Sequence, residues 1–183
     1  LIRDMSGGDV PTVVDLHVSA MPDFFLTFLG PRFLRLYYTR LIDDPSSIAK
    51  VSVADDGTVN GAVVGSTNPA GFYGRLLRKG WWSFGWAALP AVIRSPRVIA
   101  RLLRALRFPS EQPEGASMAG LYSITVHPDH QGRGVGRGLV EAFVLSASDA
   151  GFESVYLHAD AVGTSVEVLV DSVGPQDCRL SGR

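Results

Sequence analysis

The chain has 183 residues, of which 46% are hydrophobic and 19% are charged, and its formal net charge is -1. This length predicts one domain, because a single hydrophobic core suits about 100 to 200 residues. The composition excludes an intrinsically disordered chain, which combines low hydrophobicity with high net charge. The single cysteine, Cys178, excludes an internal disulfide, so we expect a cytoplasmic protein.

A short strand and two helices are predicted first. Residues Leu1 to Met5 favour a strand, and since no basic segment is followed by an apolar one, we expect no secretory leader. Asp9 is expected to accept hydrogen bonds from the free N–H groups of a helix that has Pro11 near its start. A second, amphipathic helix is predicted after Pro31, where apolar residues recur near the helical period.

A β-hairpin is predicted next. Two runs rich in β-branched residues, Ser47 to Val53 and Val59 to Ser66, are separated by an Asp-Asp-Gly-Thr sequence. An Asp-Gly pair between two such runs is a strong hairpin signal. The sequence therefore predicts two antiparallel strands joined by a tight turn.

Residues 72–110 are predicted to form a cationic helical insert. No acidic residue lies between Asp56 and Glu111, whereas eight basic residues do: Arg75, Arg78, Lys79, Arg94, Arg97, Arg101, Arg104 and Arg107. Within the insert, Arg97, Arg101 and Arg104 recur at helical spacing opposite apolar residues, which predicts an amphipathic helix. The uncharged stretch Gly80 to Ile93 is shorter than the roughly 20 residues of a bilayer span, so no membrane crossing is predicted.

The insert admits three interpretations. Its arginines face water on a solvated helix, or they form a lid over an acidic acceptor such as a nucleotide-linked amino sugar. In the third, arginines on one face and Trp81, Trp82 and Trp86 on the other bind a membrane surface. Nucleic acid is less favoured as a partner, because the whole chain is close to neutral.

A glycine-rich sequence follows an apolar strand predicted at Gly120 to Val126 and precedes a helix predicted from Val135 to about Ala150. A turn with four alternating glycines, starting at Gly132, lets backbone N–H groups point at one anion, and the helix N-terminus adds a positive dipole. Dinucleotide and nucleoside-triphosphate loops do not fit, because their final glycine or Gly-Lys pair is missing. This turn therefore favours a phosphate-binding role.

The order strand, Val-x-Pro, Gln-Gly-Arg-Gly-Val-Gly and helix resembles the coenzyme A signature of the GCN5-related N-acetyltransferases (GNAT). The resemblance covers roughly residues 1–160 and implies an α/β fold with a mixed, mostly antiparallel central sheet flanked by helices, the insert lying between strands 3 and 4. It implies one domain over residues 1–183, with residues 161–183 as an atypical tail, and a final strand predicted from Ser154 to His158.

The resemblance also implies acetyl-CoA as acyl donor and a primary amine of a small molecule, such as an amino sugar, as acceptor. The strand around Ile124 would splay from its neighbour and pair with the pantetheine arm, and a backbone N–H would polarise the thioester carbonyl. The implied coenzyme-binding residues are Ile124, Thr125, Val126, Gln131, Gly132, Arg133, Gly134, Val135, Gly136 and Arg137. A homodimer is kept open as the assembly.

The chain departs from the family pattern after the fifth strand. Aligned on Gly174, it has Val170 where relatives place a tyrosine, in the helix after the fifth strand, that protonates the leaving thiolate. The last strands of the sheet are expected to be missing. A non-catalytic protein that binds acyl-CoA is therefore an alternative. A C-terminal lobe completed by another chain is a further expectation.

Two side chains are candidates for the proton transfers. Ser123 occupies the position of a water-ordering glutamate in many relatives, and His158 ends the fifth strand near the expected acceptor and has a pKa range suited to proton relay. His127 and His130 are interpreted as turn residues and His17 as a packing residue. No metal site is expected, because the histidines and the cysteine do not have zinc-ligand spacing.

Overall fold

The structure, a computed structural model, describes residues 1–22, 24–69, 72, 74–75, 80–94, 118–161, 164–171 and 181–182. Seven strands form one sheet in the order of the sequence, and every neighbouring pair is antiparallel except the fourth and fifth strands. The strands are β1 (Ile2–Asp4), β2 (Ser47–Val53), β3 (Val59–Ser66), β4 (Met118–Val126), β5 (Ser154–Ala161), β6 (Thr164–Asp171) and β7 (Ser181–Gly182). The predicted mixed, mostly antiparallel sheet is confirmed.

Helices cover both faces of this sheet. They are α1 (Val10–Ala20), α2 (Phe25–Phe28), α3 (Pro31–Ile42), α4 (Trp81–Arg94) and α5 (Val135–Asp149). One core lies under α1, α3 and α4 and includes Leu34, Tyr38 and Val51, whereas the other lies under α5 and includes Leu139 and Phe143. The sheet is therefore buried on both sides near its centre, which is typical of a layered α/β domain.

The predicted hairpin has the bounds expected from the sequence. β2 and β3 pair from Ser47↔Ser66 to Val53↔Val59, and Gly57 adopts a left-handed φ of 84° in the turn. The carboxylate of Asp56 accepts hydrogen bonds from the backbone N–H and hydroxyl of Thr58 at 2.9 and 2.6 Å. These two bonds lower the pKa of Asp56, so its ionised form holds the turn.

The predicted role of Asp9 as a cap of α1 is wrong. Its carboxylate accepts hydrogen bonds from Arg3 at 2.7 and 2.8 Å and from the backbone N–H of Ser6 at 2.8 Å, and it makes no side-chain bond to the N-terminus of α1. The carboxylate thus ties β1 to the short 3-10 turn before α1. This pairing with the arginine lowers the pKa of Asp9 well below its usual range.

The region between β3 and β4 contains α4, an apolar helix, within its described part. The cationic helix predicted around Arg97 to Arg104 lies outside the described residues, as does Cys178. Among the helices that the structure describes, none is long and apolar enough to cross a membrane.

The expectation that the last strands are missing is wrong. β5 runs to Ala161, three residues beyond the predicted end, and β6 pairs with it from Ala161↔Thr164 to Ser154↔Asp171. β7 then pairs with β6. Val170, aligned above with a helical tyrosine, lies in β6 opposite Val155, because its segment alternates apolar and polar residues and pairs as a strand.

Candidate functional site

The central feature of the sheet is a fork between β4 and β5. These two strands pair in parallel from Met118↔Ser154 to Leu121↔Leu157. Beyond that point β4 continues beside β3 as far as Val126, while β5 continues beside β6. The backbone groups on the inner sides of the two strands are therefore released from each other where the strands diverge.

A β-bulge lies at the start of the fork. Val64 pairs with Ser123 whereas the next residue, Gly65, pairs with Leu121, so Tyr122 is the extra residue on β4. A bulge increases the local twist and bends its strand. This irregularity coincides with the last residue at which β4 pairs with β5, and it turns β4 away from its parallel neighbour.

The backbone groups of Ile124 and Val126 face into the fork. The N–H of His127 donates to the carbonyl of Asn60 at 2.9 Å, and hydrogen bonding alternates along an antiparallel pair of strands. From the register Gly61↔Val126, the N–H and C=O groups of Ile124 and Val126 then point away from β3. The carbonyl of Val126 accepts the side-chain N–H of Gln131 at 3.2 Å, which ties the following loop to the strand.

The loop between β4 and α5 depends on two glycines in the left-handed conformation. Gly132 has a φ of 73° and Gly134, which precedes the first residue of α5, has a φ of 81°. A Cβ atom built on either glycine would have no neighbour within 4 Å. Glycine is favoured there for its backbone conformation, and the space outside the loop is open to a ligand.

The start of α5 offers unpaired N–H groups to an anion. The first helical hydrogen bond runs from Gly138 N to Gly134 O, so the preceding N–H groups of the first turn have no acceptor within the helix. That turn contains no acidic residue. The guanidinium of Arg137 is exposed and donates to Glu141 at 2.8 Å, and Arg133 is also exposed. The helix dipole and these cations favour a negatively charged group.

A cavity of about 320 Å³ joins the fork to this loop. It is lined by Ile124, Val126, Gln131, Gly132 and Gly136, all of which the sequence predicted as coenzyme-binding residues. A Cβ atom at Gly136 would lie 3.6 Å from the Val126 side chain, an ordinary contact distance. The first turn of α5 thus lies beside β4 at a normal packing distance.

Two predicted coenzyme residues have side chains that face elsewhere. Thr125 is buried, and its hydroxyl lies 3.5 Å from the carbonyl of Ala62 on β3. Val135 packs against the core under α5. The structure therefore brings these residues to the region through their backbone, while their side chains stabilise the sheet and the helix.

The two predicted proton-transfer residues lie on opposite strands of the fork. Ser123 follows the bulge on β4, and its hydroxyl is buried with no hydrogen-bond partner among the described residues. His158 is the first residue of β5 beyond the last pair with β4, and its backbone pairs with Glu167; its side chain lies outside what the structure describes. An unpartnered buried hydroxyl is costly, which fits a group that meets water or substrate.

The other histidines have local partners. His17 is fully buried, with Nδ1 at 2.7 Å from the Tyr38 hydroxyl, and burial lowers its pKa to about 4. Nδ1 of His127 accepts the N–H of Asp129 at 3.3 Å, and His130 contacts Asn60 at 3.3 Å. In the described part of the chain, no three His, Cys, Asp or Glu residues form a group that could hold a metal ion.

Phe72 beside the fork was not predicted from the sequence. Its buried ring packs against Tyr122, the bulge residue, with ring centroids 4.9 Å apart. The insert therefore contacts β4 where β4 turns away from β5. The only available signal was an aromatic residue at the beginning of a basic segment, which does not reveal a contact 50 residues away.

Comparisons with known proteins agree with this geometry. The family model "Acetyltransferase (GNAT) family" matches residues 13–165. No relative was found among curated proteins. Among solved structures, SsHAT is similar with a TM-score of 0.61 and 24% identity, over 86% of this chain and 81% of that one.

Two further solved structures bear on the fold. An aminoglycoside N-acetyltransferase, AAC(6')-Iy in complex with CoA, gives a TM-score of 0.55 and 13% identity, over 87% of this chain and 76% of that one. Nourseothricin acetyltransferase gives a TM-score of 0.38 and 22% identity over 66% of this chain, and this match spans 45% of that protein. The structures with the higher scores share the fold. Because the family model covers most of the sequence, the chain belongs to the acetyltransferase (GNAT) family.

Proposed function

We propose that the chain transfers the acetyl group of acetyl-CoA to a primary amine of a small molecule. The observation that carries this proposal is the fork between β4 and β5, which opens directly onto the glycine loop at the start of α5. One cavity thus borders both a strand whose backbone groups point away from β3 and the N-terminus of a helix, which favours anions. A thioester attached to a long pyrophosphate-bearing arm needs both features.

The residues present fit such a donor. The open space outside the left-handed Gly132 and Gly134 leaves room for the pyrophosphate beside the first N–H groups of α5. Arg133 and Arg137 add positive charge. The backbone groups of Ile124 and Val126 are oriented to pair with the amide-containing pantetheine arm.

Acetyl-CoA supplies an acyl group activated as a thioester. A backbone N–H on the fork side of β4, after the bulge, would donate to the thioester oxygen and stabilise the negative charge that develops there. The acceptor amine must be neutral to attack, so the site has to remove its proton. We assign Ser123 to holding a water for this step and His158 to relaying the proton from it. The C–S bond of the thioester then breaks, and the CoA thiolate leaves and is protonated by water.

The family and one solved structure with the same fold support the proposed class of acceptor. One solved structure with the same fold is an aminoglycoside N-acetyltransferase in complex with CoA. Aminoglycosides are sugars with amino groups. This relative supports a small-molecule amine, such as an amino sugar, as the acceptor of this chain.

The test is release of free thiol from acetyl-CoA in the presence of an amine panel that contains aminoglycosides, simple amino sugars, polyamines and amino acids. We expect thiol release with at least one amine, together with the acetylated product by mass spectrometry. A matched reaction without amine measures hydrolysis. Thiol release independent of every amine would contradict the proposal.

A second function is favoured by one observation. The segment after β5 forms β6, in which Val170 lies opposite Val155, and so it supplies no helical tyrosine to protonate the thiolate. A chain that binds acyl-CoA without turnover would have the same coenzyme loop. Stabilisation by acetyl-CoA without thiol release would support this second function over the first.

A further inference from the structure

The helix α4 is apolar except for Ser83 and its last residue, Arg94. Residues 81–93 carry no charge. One face, formed by Phe84, Ala88 and Ala91, is buried, and the ring of Phe84 lies 5.1 Å from that of Phe33 on α3. A soluble amphipathic helix presents polar residues on the side opposite such a buried face.

In α4 the opposite side is apolar as well, and it is exposed. Its large residues recur at helical spacing, with exposed fractions of 65% for Trp82, 73% for Trp86, 41% for Leu89 and 74% for Ile93. Trp81 is stacked on Trp82 with ring centroids 3.7 Å apart. A contiguous exposed apolar surface of this kind marks a binding site for another apolar surface. We call these five residues the tryptophan face.

Arginines of α3 lie beside α4 at both of its ends. Arg32 and Arg35 are exposed and, with Ala87, Pro90 and Ala91, line a groove of about 480 Å³ beside the second half of α4. At the other end, a Cβ atom on Gly80 would lie 3.6 Å from the guanidinium of Arg40. Neither α3 nor α4 contains an acidic residue. The charged residues of these two helices are therefore all basic.

We propose that the tryptophan face lies flat on an anionic lipid bilayer. Tryptophan is enriched at membrane interfaces, where its ring is at the headgroup level, and an interfacial helix buries its apolar face at the boundary of the acyl chains. The arginines of α3 then reach the phosphates of anionic headgroups, which attract basic residues near the surface. This inference concerns a surface outside the coenzyme cavity and does not depend on acetyl transfer.

A second copy of the chain fits the same surface less well. In a symmetric dimer the same patch meets itself, so the arginines of the two α3 helices would be brought together. Like charges at an interface oppose association. An anionic bilayer instead supplies charge complementary to these arginines, and we therefore choose it as the occupant.

The sequence makes this proposal easy to test, because its three tryptophans all lie in α4. Their emission therefore reports on this helix. The full chain is mixed with vesicles made of equal parts of phosphatidylglycerol and phosphatidylcholine. We expect a blue shift of the emission and co-flotation with the vesicles, and much weaker effects with phosphatidylcholine alone.

Two variants separate the apolar from the charged contribution. Leu89→Glu with Ile93→Glu keeps all three tryptophans and, through the lost burial of two aliphatic side chains, is expected to weaken vesicle binding by more than about tenfold. Arg32→Gln with Arg35→Gln should weaken binding to the anionic vesicles by about 25-fold, at about fivefold for each arginine. Leu145→Glu on α5, where Leu145 is 58% exposed, is the matched control and should bind as the parent does.

Several results would overturn the proposal. One is an emission that stays unchanged with anionic vesicles, which indicates that another part of the chain covers the face. Another is a blue shift that grows with protein concentration in the absence of lipid, which indicates a second copy as the occupant. Equal binding of the parent and the Leu89→Glu, Ile93→Glu variant, when circular dichroism shows both folded, would exclude the face as the contact.

Discussion

Replacement of Gly134 by aspartate should abolish most acetyl-CoA binding without unfolding the chain. Gly134 has a φ of 81° at the N-terminus of α5, and a Cβ atom there would meet nothing within 4 Å. The new side chain therefore extends into open space outside the loop. In our proposal that space holds the pyrophosphate.

The magnitude has two parts, which Gly134→Asn separates. Both substitutions place a short polar residue in the left-handed region, at a cost of about 1–2 kcal/mol in stability. Only aspartate adds a negative charge. Two unit charges 4 Å apart interact by about 1 kcal/mol in water and about 4 kcal/mol near a protein surface. Because the loop is exposed, we expect a repulsion toward the lower end of that range. The Gly134→Asp variant should therefore bind acetyl-CoA about tenfold more weakly than the Gly134→Asn variant.

The assay is the dissociation constant of acetyl-CoA measured by titration calorimetry at two salt concentrations. Raising the ionic strength from about 0.1 M to 1 M shortens the screening length from about 10 Å to 3 Å, so it should remove most of the difference between the two variants. Gly151→Asp is the matched control. Gly151 has a φ of 87°, is equally open and lies at the far end of α5.

Two results would refute the reasoning. If the Gly134→Asp and Gly134→Asn variants bind equally well at low salt, no anion lies beside Gly134. If Gly151→Asp weakens binding as strongly as Gly134→Asp does, the effect is a general one on the fold. In the first case the pyrophosphate would have to bind elsewhere, and in the second the variant would say nothing specific about the loop.

Three further predictions concern stability and rate. Gly65→Ala should destabilise the fold by about 3 kcal/mol or more in urea denaturation, because its Cβ would overlap the carbonyl oxygen of Gly120 and lie 2.6 Å from the Phe143 ring. Gly85→Ala, where the new Cβ meets open space within a helix, should stabilise the fold by about 0.5–1 kcal/mol in the same assay. The pKa of His17 is about 4 in the folded chain and near 6.5 when unfolded, so the unfolded state binds more protons between these pH values. The free energy of unfolding should therefore fall by about 2 kcal/mol from pH 7 to pH 5. His17→Phe should flatten that pH dependence, and an unchanged slope would show that another group is responsible. In steady-state kinetics, Ser123→Ala should lower kcat by less than the roughly 100-fold that loss of a general base costs, and should leave the KM of acetyl-CoA unchanged. An unaltered kcat would exclude Ser123 from the proton path.

The elements that the sequence predicted well depend on neighbouring residues. The hairpin strands Ser47–Val53 and Val59–Ser66 have the predicted bounds, because their turn requires the left-handed conformation that Gly57 supplies. The helix after the glycine loop begins at Val135 as predicted. The left-handed conformation of Gly132 and Gly134 is likewise a local requirement. Such signals lie within a few residues and can be read without a structure.

The errors arose where a residue or segment has competing partners. Asp9 was expected to accept hydrogen bonds from the next helix. Instead, the guanidinium of Arg3 on β1 forms a bidentate, charged pair with the Asp9 carboxylate, which is stronger than hydrogen bonds from neutral backbone N–H groups. The segment that includes Val170 was aligned with a helix. Its apolar alternation instead allows it to pair along the open edge of β5.

By itself, the sequence determined the family, the class of fold and the loop that begins α5, because glycine positions and hydrophobic periods are local properties of the chain. Only the tertiary structure decided that the pairing of β4 with β5 ends at Leu121. That end point depends on the bulge where β4 pairs with β3, and on β6, which pairs with β5 beyond it. The tertiary structure also decided which face of α4 is buried. Because α4 has large apolar residues on opposite sides, its sequence does not indicate which side is buried. The packing of Phe84 against α3 places the tryptophans on the exposed side.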